Sequence, residues 1–352
     1  MVTGRKLDHI KISLKEDIQS RIKNGFDDIT FVHRALPEIN LDEIDLTCDF
    51  FGRKIGAPII IAGMTGGHER AEGINRNLAL AAAELNIPMG VGSQRAAIED
   101  NKLSQTYSVA REAAPDIFLI GNLGAVQFSE GYSIKEAKKA VEMIGANALA
   151  VHLNPLQEAI MPEGDTHFEG ALEGLKKLKD LDVPVIAKET GAGIAMEEAK
   201  LIEKAGAAGI DVGGLGGTSF SAVEYYRRKG LETTFWDWGI PTAVSTIECI
   251  EGTKLNIIST GGIRNGLEVA KALSLGAVAC GIAHPLLSGA MKGKNEVLNT
   301  LNRVIEELKT AMFLAGARTI KDLRNVDMVI TGMTKDWLEN RSIDCKKYAS
   351  RG

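Results

Sequence analysis

Between Asn256 and Pro285 the chain reads NIISTGGIRNGLEVAKALSLGAVACGIAHP, and this stretch restricts the fold more than any other. The β-branched pair Ile257-Ile258 leads into Thr260-Gly261-Gly262, Leu267 to Leu275 carries apolar residues at helical spacing, and Ala277 to Ala283 is a second apolar run. Two strands joined by a helix, with Gly-Gly after the first and Gly-Ile-Ala at the second, match the last two units of a (β/α)8 barrel. Bare glycine backbone there leaves N–H groups open to a phosphate. A tight turn alone would also use Gly-Gly; the pair of motifs at barrel spacing is what favours a phosphorylated ligand.

Upstream the same rhythm recurs. Strands are expected at Pro58 to Gly63, Pro88 to Gly92, Ile117 to Gly121, Ala148 to Leu153, Pro184 to Lys188, Gly209 to Val212, Ile257 to Thr260 and Ala277 to Ile282. Helical patterns lie between them at Ala71 to Leu85, Ser104 to Ala113, Ile134 to Ile144, Ala171 to Lys179 and Met196 to Ala205. Eight strands, with no GxGxxG after the first, favour a closed α/β TIM barrel over an open sheet. Such a barrel with extensions fills 352 residues as one unit. Residues 1–57 are expected to form an N-terminal extension covering it, with a short helix around Leu14 to Ile22 and a strand pair between Ile44 and Ile55. The connections from Asn154 to about Phe168 and from Gly213 to about Thr246 are long loops after strands four and six, where a barrel encloses substrate. Val297 to Leu314 reads as a long helix.

A net charge of −5 and a pI near 5.8 argue against a nucleic-acid partner, so an anionic ligand must be held locally. Cys48, Cys249, Cys280 and Cys345 form no CxxC pair, which suits a reducing compartment. The charged start MVTGRKLDHIKIS has no apolar core of a leader, and the run around Pro58 to Ala62 is too short to span a bilayer. These features predict a cytoplasmic protein with no membrane partner.

Polar side chains gather where strands should end: Met64-Thr65-Gly66-Gly67, Ser93-Gln94-Arg95, Asn122, His152 to Glu158, and Lys188-Glu189-Thr190. Turn chemistry asks mainly for Gly, Asn and Asp, so folding alone does not explain them. His152 and Asn154 share parity with Ala148 and Ala150, which would turn the imidazole into the lumen; a lone strand histidine otherwise reads as a core residue. Glu158, one carboxylate beside neutral amides, suits Mg²⁺, which completes its shell with water and substrate phosphate; alone it reads as a solvated charge. Lys188 follows an apolar run and can pair with phosphate or an anionic cofactor ring, with a Schiff-base role as the competing reading. Thr218 and Ser219 either donate to a phosphate or cap a helix. Arg5, Lys6 and His9 are a solvated basic face unless the extension folds over the mouth, where Arg95 would help them clamp a diphosphate.

Taken in order, Arg5-Lys6 with His9, Met64-Thr65-Gly66-Gly67, Gly92-Ser93-Gln94-Arg95, Asn122, His152-Leu153-Asn154, Gln157-Glu158, Lys188-Glu189, Gly217-Thr218-Ser219, Trp238 to Thr242 and Gly261-Gly262 with Arg264 resemble the type 2 isopentenyl-diphosphate isomerases, over nearly the whole chain. That family uses FMN to interconvert isopentenyl and dimethylallyl diphosphate. The resemblance implies that Arg5, Lys6, His9, Ser93, Gln94, Arg95, Asn154 and Gln157 contact substrate and that Glu158 holds Mg²⁺. It implies FMN contacts from Ala62, Met64, Thr65, Gly66, Ser93, Asn122, Lys188 and Thr218, with Gly261, Gly262, Arg264, Ala283 and His284 around the phosphate. NADPH as reductant and a homotetramer or larger assembly are implied too. The chain departs from the family pattern at Asp8, where Glu is more usual, and at His284.

Shifting an alkene needs a proton added at one carbon and removed at its neighbour, with no net redox change. The loops offer no pair of acids flanking an apolar substrate. Reduced FMN is therefore expected to supply the acid–base group, with His152 and Gln157 as the catalytic side chains that orient substrate and Lys188 balancing the ring. The alternatives are an FMN-dependent oxidoreductase of the 2-hydroxy-acid oxidase or inosinate dehydrogenase kind and a non-catalytic flavin binder.

Overall fold

The computed structural model describes residue 8 and residues 11–228 and 233–351. Eight parallel strands close into a barrel: β1 (Ile59–Ile61), β2 (Met89–Gly90), β3 (Leu119–Gly124), β4 (Ala148–Leu153), β5 (Val185–Glu189), β6 (Gly209–Asp211), β7 (Asn256–Thr260) and β8 (Ala279–Ile282). The ring shuts where β8 pairs with β1, Cys280 facing Ile59 and Ile282 facing Ile61. The expected TIM barrel is present, with β3 running to Gly124 rather than stopping at Gly121.

Strand parity explains the continuous apolar runs. Ile60, Ile120, Ala148, Ala150, Ile186, Ile258 and Ala279 pack together in the lumen, while Ile59, Ile61, Met89 and Leu119 face the helices, so both faces are buried. Helices begin and end on local signals. His68 caps Glu69–Leu85 by accepting from Arg70 N, and Asn86 ends it in the left-handed region. Ser133 and Glu136 form a capping box at Ile134–Ile144, and Gly145 stops it. Among the described residues no helix is long and apolar enough to cross a membrane.

The first residues serve both ends of the barrel. Cys48–Phe50 and Arg53–Ile55 form an antiparallel hairpin, in the stretch where a strand pair is expected. It drives Phe50 and Ile55 into the lumen from below, with Phe50 edge-on to Phe51 and to Phe118 at 4.8 and 5.0 Å. Ile29–Phe31 pairs with Met328–Ile330, tying the start of the chain to its tail. The helix expected over 14–22 is a correction: residues 11–15 are helical, but 16–24 are not. Their backbone groups are spent elsewhere, Ser219 N donating to Ile18 O and Ser20 N to Gly217 O, while Ile18 is buried with Ala222, Val223 and Trp236. This segment lies along the loop after β6.

That loop carries the helix Phe220–Arg227, whose N-cap is Ser219 accepting from Ala222 N, the capping role open to it from sequence. The loop after β4 carries Pro155–Ile160. Arg227 joins the two loops through ion pairs with Glu224 and Glu163. The expected tail helix runs Lys294–Ala315.

Candidate active site

A cavity of about 330 Å³ opens at the C-terminal ends of the strands. Its floor is the last lumen-facing layer: Ala62 from β1's end, Asn122 from β3, His152 from β4, Lys188 from β5 and Thr260 from β7. One wall is the glycine-rich pair of turns after β6 and β7. Gly261 and Gly262 have φ of 121° and 71°, a region that favours glycine. The turns are in tight contact: a Cβ on Gly217 would stand 2.5 Å from Gly262 N. Thr242, first residue of the helix after the WGIP run, holds this wall, its hydroxyl lying 2.7 Å from Gly261 O and 3.1 Å from Leu215 O. Two unlike stretches, GGLGGTSF and WGIPT, thus support one cradle.

On the opposite side the polar groups are oriented by one another. Asn122 Nδ2 donates to Val91 O at 3.1 Å, which turns its Oδ1 toward His152 Nδ1 at 2.8 Å. An amide oxygen only accepts, so the imidazole donates from Nδ1 in this bond. Asn154 Nδ2 reaches Gln157 Oε1 at 3.3 Å and Glu158 Oε1 at 2.9 Å. Glu158 Oε2 accepts from Asp165 N at 2.8 Å, so each carboxylate oxygen keeps a further lone pair.

Two buried oxygens on this surface, Asn154 Oδ1 and Thr260 Oγ1, have no hydrogen-bond partner among the described residues. Native structures seldom leave such atoms unmatched, so both mark places where a ligand's polar edge fits. Among the described residues, the groups of three or more potential metal ligands do not include Glu158; the trio found is Glu130, Asp165 and His167 on the outer rim. A cation at Glu158 would need its other ligands from substrate oxygens and water, which is how Mg²⁺ is commonly held.

Lys188 is less simple than the sequence suggested. Its Nζ lies 3.0 Å from Asp211 Oδ2 and 3.1 Å from the Glu189 carbonyl, both groups of the pair being close to nine-tenths buried. Glu189 points behind the cavity wall, where Oε2 accepts from the amides of Gly191, Ala192 and Gly193. Burial pushes its carboxyl up to about 7, outweighing those donors.

Most of the residues singled out in the sequence meet here. Ala62, Met64, Thr65, Gly66, Ser93, Arg95, Asn122, His152, Asn154, Gln157, Glu158, Lys188, Thr218, Gly261, Gly262, Arg264, Ala283 and His284 all line the cavity. Gln94 is the correction. It is fully buried, donating to Ala140 O at 2.8 Å and accepting from Asn122 N at 2.9 Å, so it braces the floor from outside instead of reaching a substrate. Arg95 is folded along its own helix, Nε 2.8 Å from Glu99. Arg264 contacts Gln19, and His284 Nε2 lies 2.9 Å from Ser13 O, so side chains as well as backbone of the cradle engage the N-terminal segment. Arg5, Lys6 and His9 lie outside the described residues. Sequence reasoning missed Gln127 and Asp211, and it named Thr190 and Thr260 at their strand ends without giving either a role. Strand parity was the available signal for Thr260, two residues beyond the lumen-facing Ile258; an acidic residue inside the apolar run GIDV was the signal for Asp211.

The chain is similar to several known proteins. The sequence pattern of FMN-dependent dehydrogenases matches residues 10–118 and 165–330. A protein of Thermococcus kodakarensis named isopentenyl-diphosphate delta-isomerase is 55% identical, over 98% of this chain and 95% of its own. One of the same name from Methanothermobacter thermautotrophicus is 50% identical over the full length of both. Among solved structures, a mandelate oxidase variant with benzaldehyde superposes with a TM-score of 0.64 at 20% identity, covering 93% of this chain and 94% of that one. At that identity the likeness speaks for the fold alone.

Proposed function

This chain belongs to the FMN-dependent dehydrogenase family and within it to the isopentenyl-diphosphate delta-isomerases, and on that footing we propose that it interconverts isopentenyl and dimethylallyl diphosphate using reduced FMN and Mg²⁺. The observation that carries this reading is the composition of the floor. Asn122, His152, Asn154, Gln157 and Thr260 bring hydrogen-bonding edges, and among the described residues two of their oxygens are unmatched and no pair of carboxylates faces across the cavity. Such a surface fits a ring system with many polar edges better than it fits acid–base work by side chains alone.

Reduced FMN, when bound, would supply the acid–base group that this isomerisation needs. The protein's own residues position and shield. Gly261, Gly262, Arg264, Ala283 and His284 hold the cofactor phosphate at the cradle, and Ala62, Met64, Thr65, Gly66, Ser93, Asn122, Lys188 and Thr218 line its ring. His152 and Gln157 orient the substrate, with Asn154 fixing Gln157. Glu158 would hold Mg²⁺ against the diphosphate, which Arg95, Ser93 and the N-terminal Arg5, Lys6 and His9 grip. Positive charge developing on carbon is kept from water by Met64, Phe220, Val223 and Leu287 on the cavity wall. NADPH as reductant, a cytoplasmic setting and a homo-oligomer of four or more subunits complete the proposal.

An oxidoreductase of the 2-hydroxy-acid oxidase kind would need a cationic partner beside its histidine for the carboxylate, whereas His152 is followed by Leu153 and Asn154. A thiol nucleophile fits no better. Cys249 and Cys280 are fully buried, and burial raises both thiols far above their ordinary range. The deciding experiment is anaerobic. The flavin is reduced, isopentenyl diphosphate and Mg²⁺ are added in D₂O, and the product is followed by NMR. Deuterated dimethylallyl diphosphate with the flavin still reduced supports the proposal; flavin reoxidation without that product overturns it.

A further inference from the structure

Asp211 has no part in the functional reading above, yet its carboxylate is buried in the same layer as Lys188. The two residues face each other in the register of β5 and β6. Asp211 Oδ1 is anchored by Gly213 N at 3.2 Å, and Oδ2 meets Lys188 Nζ at 3.0 Å. Lys188 spends a second N–H on the Glu189 carbonyl. An ammonium has three donors, so one remains for the cavity that Lys188 lines. Its direction is set by the other two.

We propose that Asp211 is a positioning residue of the flavin site, aiming the third Lys188 N–H at the ring and cancelling most of the Lys188 charge. Lys188 then acts as an oriented hydrogen-bond donor more than as a cation. This rests on the reading that Lys188 faces FMN. A lone buried ammonium would stabilise the anionic reduced ring strongly and tie up the lone pairs that the reaction needs as a base. A lysine paired with a carboxylate perturbs the ring less, which suits a flavin that must both give and take a proton without changing its redox state.

The test is an anaerobic redox titration of the FMN-loaded protein, with Asp211→Asn, Asp211→Ser, Asp211→Glu and Lys188→Met. Removing the carboxylate should favour the reduced flavin at least tenfold, about 30 mV for a two-electron couple. Asp211→Glu should stay within about threefold of the native protein, and Lys188→Met should shift the opposite way. Neutral variants that load FMN yet titrate like the native protein, with Lys188→Met shifted, overturn the role of Asp211 alone. If Lys188→Met also titrates like the native protein, Lys188 does not face the ring and the flavin-site reading itself fails. Should neither neutral variant load FMN, Asp211→Glu must load and hold the native potential; failure there overturns the proposal.

Discussion

Asn122 keeps one face for the Val91 carbonyl and the other for His152, whose Nδ1 sits 2.8 Å from Asn122 Oδ1. Because the first bond fixes which end of the amide is oxygen, the second fixes Nδ1 as a donor. Asn122→Leu, close in size but without an acceptor, should lower kcat/KM by about tenfold to a hundredfold, the ~1–3 kcal/mol cost of an unmatched buried donor. Asn122→Asp restores an oxygen at that place and should lose less. Equal losses in steady-state assays would show that the ring needs no such guide.

Gln157 lies on the first turn after β4 and is held by Asn154 at 3.3 Å. If it orients substrate, Gln157→Ala should cut turnover by about tenfold or more while FMN affinity, read by flavin fluorescence, changes by less than about threefold. Full activity would remove Gln157 from the catalytic set.

Among the described residues Glu158 is the single carboxylate lining the cavity. Glu158→Gln keeps a single acceptor oxygen, so it retains only one of the bonds from Asn154 Nδ2 and Asp165 N, and it gives up the charge; the Mg²⁺ concentration for half-maximal rate should rise at least about tenfold. An unchanged Mg²⁺ titration would place the ion elsewhere.

At Gly217 a methyl group has nowhere to go, its Cβ falling 2.5 Å from Gly262 N and 3.0 Å from Gly262 Cα. Both partners are backbone, so the cradle must spread. Gly217→Ala is expected to weaken FMN much more than riboflavin, which lacks the phosphate. Isothermal titration of both ligands checks this, and equal losses would mean the phosphate sits outside the cradle.

Glu189 gives the stability a pH dependence. Its folded value of about 7 stands above the ordinary 4.5, so the folded state holds a proton that the unfolded state has released between those two pH values. Stability from this group is therefore greatest below about pH 4.5, falls as pH rises through the window, and is lower by ~3 kcal/mol above pH 7. Glu189→Gln should flatten that part of the profile relative to the native protein in urea unfolding at a series of pH values. Parallel profiles would show that Glu189 is ionised throughout.

What could be read from sequence followed one rule: periodicity reports burial. The barrel strands are buried on both faces, which leaves runs such as Ile59-Ile60-Ile61 with little ambiguity, and residues at strand ends could be grouped by position alone. The residues that escaped are those whose role is set by a partner distant in sequence. Gln94 stood in a motif with Ser93 and Arg95, yet its neighbours in space are Ala140 and the backbone of Asn122. Ile18 has helical company in the sequence but packs on Trp236, and its backbone bonds to Ser219. Asp211 gains its significance only from the pairing of β5 with β6, which places it against Lys188.

The aromatic seal of Phe50, Phe51 and Phe118 beneath the lumen turns the barrel into a vessel with one mouth. On the proposed function, solvent protons and substrate would then share that doorway, and isotope carried in on carbon should return to carbon more often than in a cleft open at both ends.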